Sequence, residues 1–124
     1  MCLGFIPDLA RKIYAGADFF LMPSKSEPCG LSQMVALRYG TIPIVRETGG
    51  LRASVTDSGD GEGNGFVFSS YNAHDMLNAI RRAVEGYSDK KGWPILVKRA
   101  MESDNSWGKS ANDYIKMYKE ILKA

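Results

Sequence analysis

Pro23-Ser24-Lys25-Ser26-Glu27-Pro28-Cys29-Gly30-Leu31-Ser32-Gln33 is the stretch on which the fold turns. It joins the apolar run Phe19-Phe20-Leu21-Met22 to a helical pattern that reaches Tyr39. Two prolines and a glycine keep either regular element from crossing it, so it reads as the loop of a strand-loop-helix unit. Glu27, the one carboxylate in the loop, then stands at the mouth of that unit. In open α/β sheets ligands bind there, beyond the carboxyl ends of the strands. The helix is entered through Gly30, which leaves N–H groups near Gly30 and Leu31 free to face an anion. A plain strand-to-helix connection explains the same residues.

Working outward, Asp8–Ala17 is helical by pattern, with Leu9, Ile13 and Ala17 on one face and Asp8 placed as a cap. Asp18–Met22 reads as a short buried strand, nearly uniformly apolar as parallel strands are. From Gly30 to Tyr39, Leu31, Met34, Val35 and Leu37 give a helix with a broad apolar face, closed by Gly40. Thr41–Val45 is the next strand, rich in β-branched residues. Pro43 suits a central strand badly, so the ladder is expected to begin after it. Strand, helix, strand in this order reads as a right-handed parallel crossover. Arg46–Leu51 is a second loop on the same sheet edge. There Thr48 offers a hydroxyl, and Gly49-Gly50 allows positive φ or a close backbone approach. A turn alone accounts for two glycines, but together the loops make adjacent walls of one crevice.

Farther on, Asp57–Gly65 holds four glycines and three acids in nine positions and reads as a solvated flexible loop. Its spacing does not match a calcium-binding EF-hand. Gly65–Ser69 makes a short strand. Asn72 caps a helix with Asp75 three residues on, and Met76, Leu77, Ile80, Ala83, Val84 and Tyr87 describe its buried face. His74, in the first turn, is an exposed polar residue. Pro94 starts a helix with Leu96, Val97, Ala100 and Met101 inward. Ser106 starts the last one, striped by Ala111, Tyr114, Ile115, Tyr118, Ile121 and Leu122. Trp107 and these tyrosines could form a cofactor shelf, but aromatic stripes at helical spacing are usually core.

The 124 residues allow one domain at most. An apolar content of 44% is normal for a globular protein, and 24% charged residues argue against disorder. A net charge of +2, with both signs interspersed, gives no case for nucleic acid or an anionic membrane. No apolar run approaches a membrane span, and Met1–Pro7, which reads as an end cut upstream, shows no signal peptide. Cys2 and Cys29 make no zinc or CxxC pattern; a disulfide between them is possible on paper, but neither spacing nor context suggests a secreted scaffold, and two free thiols in a reducing cytoplasm are the preferred reading. Cys29 as a nucleophile wants a nearby base, and the only histidine, His74, is on another element.

The ordered set Ser24-x-x-Glu27-Pro28-Cys29-Gly30-Leu31-Ser32-Gln33, Leu37-Arg38-Tyr39-Gly40-Thr41-Ile42-Pro43 and Arg46-Glu47-Thr48-Gly49-Gly50-Leu51 resembles the bacterial glycogen synthase and starch synthase family. Ala15-Gly16-Ala17-Asp18 and Asn64-Gly65-Phe66 extend the likeness over nearly the whole chain. The resemblance implies a Rossmann-like three-layer αβα fold with a short parallel sheet, part of a two-domain GT-B enzyme. Residues 1–124 would be the carboxyl-terminal part of its nucleotide-sugar-binding domain.

It implies a retaining glucosyltransferase that moves glucose from ADP-glucose to the non-reducing end of an α-1,4-glucan, with no metal and no cofactor besides the donor. Glu27 would be the catalytic carboxylate that positions the sugar. Cys29, Gly30, Leu31, Thr48, Gly49 and Gly50 would line the donor site. Phe5, otherwise a hydrophobic plug, would stack on the adenine where the family usually has tyrosine. The final helix would reach back across the domain interface.

This sequence departs from the family at Ser26, where phenylalanine is common. It also has Val35 eight residues after Glu27, where many retaining transferases of other families carry a second glutamate. Phosphate-clamping basic residues and the glucan-binding domain lie outside this stretch, so the chain alone is expected not to transfer glucose. Three other readings stay open. They are another transferase of the same architecture, a non-catalytic docking module, and a generic phosphate-binding half-domain.

Overall fold

A computed structural model describes residues 3–123; Cys2, and with it any pairing to Cys29, lies outside them. In chain order the elements are α1 (Pro7–Gly16), β1 (Phe19–Met22), α2 (Ser32–Tyr39), β2 (Ile42–Arg46), α3 (Gly49–Ser54), β3 (Phe66–Phe68), α4 (Ala73–Ser88), α5 (Gly92–Glu102) and α6 (Trp107–Ile121). A 3-10 turn at Ser58–Asp60 precedes β3. The strands form one parallel sheet in the order β1-β2-β3, with Phe19 opposite Ile42 and Val45 opposite Val67.

Side chains alternate across a strand, and the core divides accordingly. Ile42 and Ile44 join Phe66 and Phe68 against Ala79 and Ala83 of α4 and Leu96 and Ala100 of α5. On the other face Val45, with Met22 and Val67, meets Leu51 and Val55. Helices therefore cover both faces of the sheet. Each of the large aliphatic side chains buried this way contributes roughly 1.5–3 kcal/mol.

Pro43 delays the ladder on one side only. It pairs with Phe20 of β1 as the second residue of the central strand, while the pairing with β3 begins just after it. The reason lies in which side lacks a donor. Ile42 donates its N–H to Asp18 on the β1 side, so the nitrogen of residue 43 faces β3, whose pairing opens only at Ile44 and Phe66. A proline one step before the pairing begins forfeits only the outermost bond.

Burial departs from the sequence pattern in three further places. β1 is an edge strand, and Leu21 is 44% exposed. On α4 the buried residues are Ala79 and Ala83, with Met76 and Ile80 partly buried beside them, whereas Leu77 and Val84 stand largely exposed. The α6 stripe is not core: no residue of that helix is buried, and Tyr114 and Tyr118 are each more than half exposed. Periodicity reports an apolar face without saying whether a partner is present. At the amino end of β1, Phe19, Tyr87 and Trp93 form an edge-on aromatic cluster with centroids 5.0 to 5.8 Å apart.

Candidate functional site

Because the strands are parallel, β1 and β2 end on the same edge of the sheet, and the chain leaves β1 into the Glu27 loop. That loop is held by side chains that bond its backbone. Arg46, the last residue of β2, donates from Nε to Ser24 O at 2.9 Å and from Nη2 to Lys25 O. Its guanidinium also lies 5.7 Å from the Tyr71 ring centroid. At the other end of the loop, Gln33 donates from Nε2 to Gly30 O at 2.9 Å and to Cys29 O at 3.3 Å. Helix α2 begins at Ser32 rather than at Gly30, which has φ 72° and so turns the chain instead of continuing it.

Arg46–Leu51 is not a simple loop, since Gly49-Gly50 opens the short helix α3. The glycines admit backbone to backbone. A Cβ on Gly49, whose φ is 46°, would lie 1.9 Å from the Glu27 carbonyl oxygen. One on Gly50 would lie 1.9 Å from that of Cys29. The Gly50 N–H donates to Glu27 O at 3.1 Å, so this amide is engaged by the neighbouring loop. The sequence reading aimed that close approach at a ligand; here it is the Glu27 loop that makes it.

The structure thus brings Glu27, Cys29, Gly30, Thr48, Gly49 and Gly50 together at one sheet edge. Among the described residues the Glu27 carboxylate, half-buried, has no hydrogen-bond or ion-pair partner. Cys29 is exposed and has no disulfide partner among the described residues. Leu31 is the residue before α2, and no side chain caps that first turn. Thr48 precedes α3 in extended conformation, and its hydroxyl caps nothing. Phe5 is not brought to the loops: at 94% exposure it touches almost nothing described and is no plug.

Sequence reasoning missed the two residues that hold the loop, Gln33 and Arg46. Gln33 had a legible signal, an amide three and four positions before the buried Ala36 and Leu37, on the inward face of α2. Arg46 had a weaker one, a cation directly after a β-branched strand.

The Asp57–Gly65 segment, expected to be flexible, is tied down by its own side chains. Asp57 accepts from Gly59 N at 2.9 Å and Val67 N at 2.7 Å and pairs with Arg82 at 2.7 Å. Asp60 accepts from Glu62 N at 2.9 Å and Gly63 N at 3.2 Å. Asn64 bonds Thr56 and Ser54. Burial pushes the Asp57 carboxyl up, but the Arg82 hydrogen bond, the two backbone N–H groups and the guanidinium charge outweigh it and hold the group below its ordinary value. Two backbone N–H groups hold Asp60 low as well. Among the described residues no three His, Cys, Asp or Glu side chains gather as a metal site.

Residues 1–100 match the family model described as glycosyl transferases group 1. The chain belongs to that family. Its relatives in the family include the glycogen synthase of Bacillus cereus strain ATCC 10987, 60% identical over 97% of this chain and 26% of that protein. The glycogen synthase of Geobacillus thermodenitrificans is 58% identical over 98% of this chain and 25% of its own length. Among solved structures, the catalytic domain of starch synthase IV from Arabidopsis thaliana, bound to ADP and acarbose, superposes with a TM-score of 0.85 at 41% identity, over 98% of this chain and 26% of that one. The fold here is accordingly α/β and Rossmann-like with a short parallel sheet, like the matching part of that GT-B starch synthase catalytic domain. The chain spans about a quarter of the length of the relatives it matches. Among the described residues no helix is long and apolar enough to cross a membrane.

Proposed function

We infer that this chain is the carboxyl-terminal part of the donor-binding domain of a glycogen or starch synthase. Such an enzyme transfers glucose from ADP-glucose to the non-reducing end of an α-1,4-glucan with retention. The observation that carries the reading is the partnerless Glu27 carboxylate, in a loop packed against the start of α3, in a chain so similar to glycogen synthases. The reaction separates charge: the anomeric carbon gains positive character while negative charge grows on the departing diphosphate. Glu27 opposes the first and holds a sugar hydroxyl. The open first turn of α2, at Gly30 and Leu31, meets the second with backbone N–H groups. Cys29 and the Thr48 hydroxyl line the donor beside Gly49 and Gly50, and Phe5 approaches the adenine only if the rest of the enzyme carries it there. No metal or further cofactor enters, and the exposed Cys29, with no disulfide partner among the described residues, suits the cytoplasm.

With Val35 eight residues beyond Glu27, the two-carboxylate arrangement of glycosidases is not available from this loop. Glu27 is therefore a positioning and electrostatic group rather than a nucleophile. The glucan is met by the amino-terminal domain that full-length relatives carry, so the chain by itself transfers no glucose.

Titration of the labelled chain with ADP-glucose, UDP-glucose and inorganic phosphate, followed by backbone amide NMR, tests the reading. Shifts at Gly30, Leu31 and Gly49 that favour the adenine nucleotide are expected. Equal shifts with phosphate would reduce the site to an anion cradle, and an unmoved spectrum of the folded chain would leave it an architectural module.

A further inference from the structure

Gln33 is completely buried, yet it serves neither hydrophobic cluster. Its Nε2 stands among three acceptors: Cys29 O at 3.3 Å, Gly30 O at 2.9 Å and Ser54 Oγ at 3.0 Å. Ser54 Oγ donates onward to Gly50 O at 2.8 Å. One amide thus bonds the end of the Glu27 loop and, through one hydroxyl, the first turn of α3. With the amide turned over, its oxygen would face two carbonyl oxygens, so the donor orientation is fixed by its surroundings. The Gln33 Oε1 is buried and accepts no hydrogen bond from the described residues. It lies against Gly30, where an added Cβ would come within 2.5 Å of it.

A buried acceptor without a donor costs stability, and an apolar side chain of the same volume would avoid that cost. Keeping an amide here suits accurate placement of the loop better than it suits stability. What it places is specific. The Glu27 carbonyl accepts from Gly50 N, while the Gly50 carbonyl accepts from Ser54 Oγ. The two sides of the Gly50 residue are therefore tied to the Glu27 loop by a direct bond and by the Gln33–Ser54 relay.

We propose that Gln33 is a positioning residue for transfer: through Ser54 it locks the Glu27 loop onto the first turn of α3 and so sets where the Glu27 carboxylate stands relative to the donor. The proposal rests on the glucosyltransferase reading given above. Gln33 touches no substrate. Its effect falls on the transition state, because both groups it places, the Glu27 carboxylate and the N–H groups at Gly30 and Leu31, meet charge that grows only as the glycosidic bond breaks.

The test uses Gln33→Met, which keeps the volume and removes the hydrogen bonds, together with Ser54→Ala and Ser54→Thr. Amide exchange in the labelled chain should quicken at Gly50 by about tenfold relative to Ile44 in Gln33→Met, less in Ser54→Ala, and hardly at all in Ser54→Thr, which keeps the hydroxyl. Kinetics are read in the Bacillus cereus glycogen synthase with this chain exchanged for its matching quarter. There Gln33→Met should lower kcat by about 10²-fold while KM for ADP-glucose moves less than about threefold.

A Gly50 amide that exchanges no faster, or a kcat loss no larger than the unfolded fraction at the assay temperature, would overturn the proposal. If the exchanged enzyme with no substitution makes no glucan, the functional reading fails instead. The lock between the loops is then judged by amide exchange alone.

Discussion

Two loops at opposite ends of this parallel sheet carry acids, one leaving β1 and one entering β3, and they treat them in opposite ways. In the segment after α3, Asp57 and Asp60 turn their oxygens onto their own backbone N–H groups and onto Arg82. In the loop after β1, the backbone is held by others: by Arg46, by Gln33 and by the Gly50 N–H, with Glu27 left without a partner. Both loops are ordered. The first also leaves Glu62 without a partner among the described residues, but that side chain stands in open solvent, whereas Glu27 is half-buried at the carboxyl edge of the sheet. An acid available for chemistry is marked here by lacking a partner and being partly enclosed together, better than by acidity or exposure alone.

The largest expected effect sits on the available acid. In the exchanged Bacillus cereus enzyme, Glu27→Gln should cut kcat by about 10²–10³-fold with the melting temperature unmoved, since no bond within the protein is lost. A loss of stability comparable to that of an Asp57 variant would erase the contrast. Next comes Gly50→Ala, whose Cβ would stand 1.9 Å from a backbone oxygen. A destabilisation of about 3 kcal/mol is expected from chemical denaturation, because neither backbone can move without breaking the loop contact.

Asp57→Asn should cost about 1–2 kcal/mol, at the lower end because the pair with Arg82 is partly exposed. Its pH dependence has a definite sign. The Asp57 carboxyl is lower in the folded chain than in the unfolded one. Its contribution is therefore full above the unfolded value near 4 and is lost as pH falls through the folded value. The Asn variant should show a shallower loss of stability below about pH 4 than the parent, and parallel acid limbs would sink the assignment. Smallest of all, millimolar calcium should shift the melting temperature by less than about 1 °C, since Asp57 and Asp60 already have backbone and Arg82 partners.

Much of this was open to reading before any coordinates. The strand-loop-helix around Glu27, the parallel order of strands and the Gly40 helix stop all follow from local rules that the neighbours do not override. What escaped depended on distance in the chain. That Pro43 is tolerated follows from where β3 starts pairing, 23 positions on. That Gly49-Gly50 faces Glu27 and Cys29 follows from how two loops meet. The exposed α6 stripe looks like core because periodicity records a face and is silent on what covers it. Arg46 and Gln33 escaped for a different reason: a side chain that bonds backbone leaves little trace in residue type, because carbonyl oxygens are the same in every residue.

Pro43 and Gly65 carry a consequence for descent. A Cβ at position 65 would meet the Pro43 carbonyl oxygen at 2.7 Å, the Val55 Cγ1 at 2.7 Å and the Pro43 ring at 3.0 Å. Losing the proline ring would remove only the loosest of these contacts, because the carbonyl oxygen stays whatever residue stands at 43 and Val55 is untouched. Position 65 is therefore closed to growth along any path that changes position 43 alone. Descent through this sheet should keep the glycine even where the proline varies.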